Sequence, residues 1–249
     1  MSFTIAVSGK GGTGKTTFAG MIVRYLLEKE KGPVLALDAD ANTNLNEVLG
    51  MKVTATIGEA RELMKKDVPV GMTKDVWFEY KVHEALMEGK GFDLLAMGRP
   101  EGSGCYCAAN TLARKSLDLL TENYSYVVID NEAGMEHFSR MTTRDVNLLF
   151  ILSDSSRRSI MSAGRIRDLI GELQLRVDRS VLVVNRVPGG KFEQGIAEAI
   201  RANSLEFGGI IPEDNGVYQF DLAGRPTFDL PAESSAWEAA RLILGRYIN

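Results

Sequence analysis

The chain has 249 residues, 45% hydrophobic and 25% charged, which is enough to bury a substantial core in one or two domains. Its 29 lysines and arginines against 33 acidic residues leave a formal charge of −4, which excludes a global attraction to nucleic acid or to an anionic membrane. No apolar run approaches a membrane span, no basic leader precedes an apolar signal core, and two cysteines make no disulfide framework, so the expectation is a cytoplasmic protein.

Phe3 to Val7 is a short apolar run that reads as a strand. Gly9-Lys10-Gly11-Gly12-Thr13-Gly14-Lys15-Thr16-Thr17 follows, and then Phe18, Met21, Ile22, Tyr25 and Leu26 recur at helical spacing. Strand, glycine-rich turn and helix are the context of a P-loop, and Gly9 to Thr16 fits G-x-x-x-x-G-K-[ST]. Glycines let successive backbone N–H groups point inward around phosphate oxygens, and the helix start adds its positive dipole. Gly11, Gly12, Thr13, Gly14, Lys15, Thr16 and Thr17 are thus candidate contacts for the phosphates of ATP or ADP. Lys15 suits the β- and γ-phosphates, and the Thr16 hydroxyl suits Mg²⁺. Lys10 is a second lysine that a P-loop does not require.

Pro33 to Leu37 is the next apolar run, ending in Asp38-Ala39-Asp40, with loop residues expected to Asn46. Residues 57–66 and 74–88 read as helices, with Pro69 and Gly71 between them. Phe92 to Met97 reads as a strand, residues 109–122 as a helix, and Tyr126 to Ile129 as a strand ending in Asp130. Asn147 to Leu152 is a strand, followed by a helix whose apolar face carries Ile166, Leu169, Ile170 and Leu173. Val181 to Val184 is a strand ending in Asn185; residues 192–202 read as helix, 206–211 as strand, and Trp237 to Tyr247 as a closing helix. Continuous rather than alternating apolar runs suit parallel strands covered on both faces. The alternation of strands and helices predicts an α/β fold, a doubly wound, mostly parallel sheet in a single domain over residues 1–249. Asp130, at a strand end, fits a Walker B aspartate that holds Mg²⁺.

Cys105-Tyr106-Cys107 follows a glycine-rich loop and contains the only cysteines. In an extended segment residues two apart face the same side, so both thiols suit one soft ion. Two thiolates do not complete a tetrahedral site, but a symmetric partner would supply two more. Two inert buried cysteines or a strained disulfide are the alternatives.

The segment Gly9 to Thr17 resembles the deviant Walker A motif of the MinD/ParA/nitrogenase-iron-protein group of P-loop ATPases. That resemblance implies ATP hydrolysis, with Lys10 reaching across a homodimer interface to the partner's nucleotide. It implies that Asp38-Ala39-Asp40 is switch I, with Asp40 orienting the attacking water, although alanine stands at position 41 where the family often has proline. It further implies adenine contacts from Asn185 and from the loop Ile211-Pro212-Glu213-Asp214, including Pro212 and Glu213, and a switch II at Gly134-Met135-Glu136-His137. Gly102 to Cys107 and Asp130 to His137 resemble CooC-type ATPases, which assist nickel insertion into carbon monoxide dehydrogenase, with relatives serving acetyl-CoA synthase. Asn131 departs from the methionine common there. This narrower resemblance implies Ni²⁺ or Zn²⁺ at Cys105 and Cys107 of a homodimer formed with ATP or metal, and a nickel enzyme as client.

A partition or positioning ATPase of the MinD/ParA type shares the nucleotide motifs but needs a basic face or a membrane tail. The C-terminal segment, with Trp237, Leu244 and Ile248, has few basic residues. The cluster Arg157, Arg158, Arg165 and Arg167 reads as a solvated helix face, and His83 as a surface or core residue. An ATP-dependent Fe–S electron carrier of the nitrogenase-iron-protein kind takes cysteines from a second segment after Asp130, and residues 131–140 contain none, but a Cys-x-Cys pair from each chain could still hold a cluster.

Overall fold

The computed structural model describes residues 2–64, 67–99, 115–132 and 145–248. Its strands are β1 (Phe3–Gly9), β2 (Val34–Asp38), β3 (Met87–Glu88), β4 (Phe92–Ala96), β5 (Tyr126–Asp130), β6 (Val146–Ser153), β7 (Val177–Val187) and β8 (Phe207–Pro212). They form one sheet in the order β3-β4-β2-β5-β1-β6-β7-β8. All neighbours are parallel except β3 and β4. The chain steps outward from β1 to β2 and later returns through β5 to β6 on the other side, so β1 lies at the topological switch point. In open α/β sheets ligands bind in the crevice beyond the strand ends at that point.

Helices cover both faces. One face carries α1 (Lys15–Glu28), α2 (Leu45–Leu49), α8 (Asn215–Leu222) and α9 (Ser235–Tyr247). Phe18, Ile22 and Leu26 of α1 and Trp237, Ala240 and Leu244 of α9 pack there against Ile5, Val7 and Phe150. The opposite face carries α3 (Ile57–Leu63), α4 (Lys74–Glu84), α5 (residues 115–121), α6 (Arg157–Glu172) and α7 (Gln194–Ala202). Phe78, Leu117, Ile160, Ile166 and Ile200 are buried on that side against Ala6, Leu149 and Leu182. Cover on both faces is why the strands read as unbroken apolar runs: β2 is buried at every position.

Local chemistry sets the helix starts. Thr56 and Glu59 form a reciprocal capping box on α3, and the hydroxyls of Thr73, Ser156 and Ser234 accept from the first turns of α4, α6 and α9. The structure corrects the sequence reading in several places. The helix expected over 74–88 ends at Glu84, and Met87–Glu88 pair antiparallel with β4 through a turn at Gly89 to Gly91. Residues before Asn46, expected as loop, lead at Leu45 into the short helix α2. The strand expected over 181–184 runs from Val177 to Val187, so Asn185 lies within it. On α6 the buried stripe is Ser159, Ile160, Ala163, Gly164 and Ile166, and Leu173 is exposed. Trp237, Leu244 and Ile248 are buried against the sheet. No helix among the described residues is long and apolar enough to cross a membrane.

The crossing of α1 over α2 depends on Gly20, where an added Cβ would strike Val48 Cγ1. Gly20→Ala should therefore destabilise the protein by about 1–3 kcal/mol, as overpacking does. Val48→Ala introduced with it should recover most of the loss in a urea double-mutant cycle; simple addition of the two losses would show that the contact does not limit packing.

Candidate nucleotide-binding site

The glycine-rich turn between β1 and α1 closes on the carbonyl of Lys10. That oxygen accepts from the Thr13 hydroxyl at 2.8 Å and from the Thr13 N–H at 3.4 Å, and the Lys15 Nζ lies 3.5 Å away. Lys15 is 9% exposed, so its ammonium is held inside the turn, while Lys10 is exposed. Gly14 is the N-cap of α1 in left-handed geometry, makes no side-chain cap, and no acidic residue follows in the first turn. The first N–H groups of α1 are therefore not met by a capping side chain or balanced by a nearby carboxylate, which is the condition for binding an anion. Thr16 and Thr17 stand half-buried at that helix start.

Three strand ends meet beside this turn. Asp130 is in register with Val7 of β1 on one side and with Asp38 of β2 on the other. Asp38 is fully buried and organises the loop after β2: its carboxylate accepts from the N–H of Asp40 at 3.0 Å and of Leu45 at 2.9 Å. Burial pushes it up to about 6, opposed by the Leu45 and Asp40 N–H groups and reinforced by the Asp40 charge. Asp40 is half-buried, and its Oδ1 accepts from the Asn42 N–H at 2.8 Å. Asp130 is 1% exposed, and its Oδ1 has no hydrogen-bond partner. Burial pushes its carboxyl up to about 7; the facing Thr16 hydroxyl and the Lys15 ammonium oppose this, and the Asp38 and Asp40 charges add to it. A buried carboxylate oxygen without a partner, facing a hydroxyl, is a donor set that fits a hard divalent cation such as Mg²⁺.

On the other side of the turn a cleft of about 370 Å³ opens between the ends of β7 and β8 and the start of α1. Gly14, Thr17, Asn185, Arg186, Pro212 and Glu213 are among its lining residues. Its far wall is fixed by Asp214, the N-cap of α8. Asp214 accepts from the N–H groups of Gly216 and Ala236 and from the hydroxyls of Ser234 and Ser235, at 2.7 to 3.0 Å. Burial would raise its pKa, but these four donors outweigh it and hold it at about 2. This carboxylate ties the starts of α8 and α9 together behind the Ile211 to Glu213 segment. Sequence reasoning placed Asp214 only in the loop at the base and missed this tie, because three of the four donors lie 20 to 22 residues away and no local pattern announces them.

The structure thus gathers Gly11 to Thr17, Asp40, Asp130, Asn185, Pro212 and Glu213 around the C-terminal ends of the strands. Cys105, Cys107 and the segment Gly134 to His137 lie outside the described residues. His83 is an exposed residue of α4. Arg167 is spent on the carbonyls of Asn203 and Ser204 and on Asp168, while Arg157, Arg158 and Arg165 are exposed on α6.

Residues 4–227 match the family model described as the CobQ/CobB/MinD/ParA nucleotide binding domain. The chain belongs to this family. An uncharacterized ATP-binding protein of Methanocaldococcus jannaschii is 40% identical, with 98% of each chain covered. The carbon monoxide dehydrogenase accessory protein CooC of Rhodospirillum rubrum is 33% identical over 91% of this chain and 89% of that one. Among solved structures, a ParA family ATPase from Chlorobium tepidum superposes with a TM-score of 0.75 at 17% identity, covering 100% of this chain and 99% of that one, a likeness of fold. The α/β expectation and the nucleotide-binding P-loop family are thereby met.

The buried carboxylate has a stability consequence. Asp130 has a folded pKa of about 7, raised above its ordinary value of 3.8. Between these values the folded state holds more protons than the unfolded one, so stability falls as pH rises through that window. Asp130→Asn should make the ligand-free protein more stable at pH 8 by about 1–3 kcal/mol, with the gain disappearing near pH 4. The same variant should lose the extra thermal stabilisation that Mg²⁺ adds to nucleotide. Melting curves at both pH values, with and without Mg²⁺ and ATP, check this; a destabilised variant at pH 8 would refute it.

Proposed function

We propose that this chain is an ATP-hydrolysing metal-insertion factor of the CooC type, acting as one P-loop domain in the cytoplasm. The observation that carries this reading is the 33% identity, over 91% of the chain, to a carbon monoxide dehydrogenase accessory protein. The Cys105-Tyr106-Cys107 pair, the only cysteines present, supports it.

In this reading the turn amides from Gly11 to Thr17 and the Lys15 ammonium bind the triphosphate of ATP. Thr16 and Asp130 would hold Mg²⁺, which neutralises phosphate charge when bound. Asp40, at the mouth of the loop that Asp38 shapes, orients the attacking water. Asn185, Pro212 and Glu213 border the cleft that would receive the base. The exposed Lys10 extends to the nucleotide of a second copy, so that hydrolysis requires a homodimer. Cys105 and Cys107 from both copies bind the cargo ion, Ni²⁺ or Zn²⁺, as four thiolates. Because both chains supply ligands, a nucleotide-driven change in their relation alters the metal site, and by linkage the metal alters the dimer equally. The client is a nickel enzyme, carbon monoxide dehydrogenase or acetyl-CoA synthase.

A positioning ATPase of the MinD/ParA type would share the whole nucleotide site, and an Fe–S carrier would share the cysteine pair; the metal experiment separates them. Wild-type protein should bind one Ni²⁺ or Zn²⁺ per dimer, more weakly as pH falls because thiolates must deprotonate. The Cys105→Ser, Cys107→Ser double variant should lose tight binding while still loading ATP. Titration with Ni²⁺ at neutral pH decides it: wild-type affinity in the double variant ends the metal-insertion reading, a brown chromophore after anaerobic purification favours the carrier, and ATP-dependent binding to anionic vesicles favours the positioning ATPase.

Lys10→Ala should retain nucleotide but fail to form a dimer with a non-hydrolysable ATP analogue. Sedimentation velocity reads this directly, and an unchanged dimer would make Lys10 an ordinary surface charge.

A further inference from the structure

The end of β7 reaches the outer side of the P-loop with two side chains. Asn185 Nδ2 donates to the Thr13 carbonyl at 2.8 Å, and Arg186 Nη1 donates to the Gly12 carbonyl at 3.0 Å. The pair is locked to itself, because Asn185 Oδ1 accepts from the Arg186 N–H at 2.9 Å. Arg186 sits at φ 54°, a left-handed conformation that an L side chain resists and glycine would adopt freely. An arginine nevertheless occupies the position, and its guanidinium is engaged on the loop.

Peptide geometry gives these two contacts a consequence. In a trans peptide the carbonyl and the following N–H point in opposite directions. Drawing the Thr13 carbonyl toward β7 therefore turns the Gly14 N–H away from β7. Drawing out the Gly12 carbonyl orients the Thr13 N–H likewise, and that N–H is directed at the Lys10 carbonyl across the turn. Gly14 must also lack a side chain, since a Cβ there would strike Asn185 Nδ2.

We infer that Asn185 and Arg186 are positioning residues of the phosphate site, which hold the Thr13 and Gly12 carbonyls on the β7 side so that the turn stays closed on the Lys10 carbonyl and the Gly14 N–H is preset for an anion. The inference rests on the nucleotide-binding reading and goes beyond it. Asn185 and Arg186 then serve the phosphates through the loop as well as bordering the base cleft. A preset loop loses less freedom on binding, so the latch acts on affinity for any polyphosphate, with or without a base.

Inorganic tripolyphosphate with Mg²⁺ is the probe, because it carries no base. Calorimetric titration compares it with ATP on the wild-type chain, Asn185→Ala, Arg186→Ala, Arg186→Lys and Arg186→Gly. Each alanine variant should weaken tripolyphosphate about three- to tenfold, the worth of one hydrogen bond, and ATP by at least that factor, since both side chains also border the base cleft. Arg186→Lys should keep part of the affinity. Arg186→Gly relieves the backbone and removes the guanidinium, so it should bind as weakly as Arg186→Ala while unfolding no earlier than wild type without ligand. Unchanged tripolyphosphate affinity in the alanine variants, whether or not ATP affinity falls, overturns the inference. Failure of the wild-type chain to bind either ligand would overturn the nucleotide-binding reading itself.

Discussion

The site depends on a carboxylate placed where a carboxylate is costly. Asp130 ends the strand between β1 and β2 and is 1% exposed, in register with the equally buried Asp38. Burial disfavours the charged form, and a second acid on the adjacent strand adds to the penalty. The sheet tolerates this because Lys15 and Thr16 are brought opposite by the turn that begins at the end of β1. Strand order is therefore part of the electrostatics. Only with β5 between β1 and β2 can one acid face both the phosphate-binding turn and the loop that carries Asp40.

Around that centre the two halves of the crevice are built differently. On the β2 side the geometry is set by an acid that binds backbone: Asp38 gathers the N–H groups of Asp40 and Leu45 and shapes the intervening loop. On the β7 and β8 side side-chain donors hold the backbone carbonyls of the turn, and Asp214 fixes the rear wall by collecting donors from the starts of two helices. On the β2 side a buried acid binds backbone two and seven residues on, and on the β7 and β8 side side chains reach segments far along the chain; both restrain the loops. Asp130, beside Thr16, keeps a buried Oδ1 with no hydrogen-bond partner.

Much of the fold was legible because its determinants are local. The period of the apolar residues separated helices from buried strands, and strand-turn-helix context located the phosphate turn at Gly9 to Thr17. The misreadings have physical causes too. Trp77, Phe78 and Val82 carry a helical pattern that runs into Met87, but Gly89 and Gly91 permit a turn that returns the chain beside β4. The helix α2 is only five residues long, too short for a periodic signal, and Asp38 supports its start from seven residues away. On α6 the apolar residues at both ends of the pattern compete, and packing on β6 chose Ile160, Ala163 and Ile166 over Leu173.

The sequence by itself determined the fold class, the phosphate-binding turn and the acids at the strand ends, since each follows from residue type and near-neighbour spacing. It also supplied the pair Cys105 and Cys107, whose partners, if any, no spacing can name. Tertiary structure alone decided that Asp130 stands between Val7 and Asp38, that Asp214 joins α8 to α9, and that Asn185 and Arg186 reach the carbonyls of Thr13 and Gly12. Those last contacts join residues 172 and 174 positions apart. Their formation depends on the parallel order of β1, β6 and β7, a long-range arrangement that hydrophobic burial selects and that no local run of residues encodes.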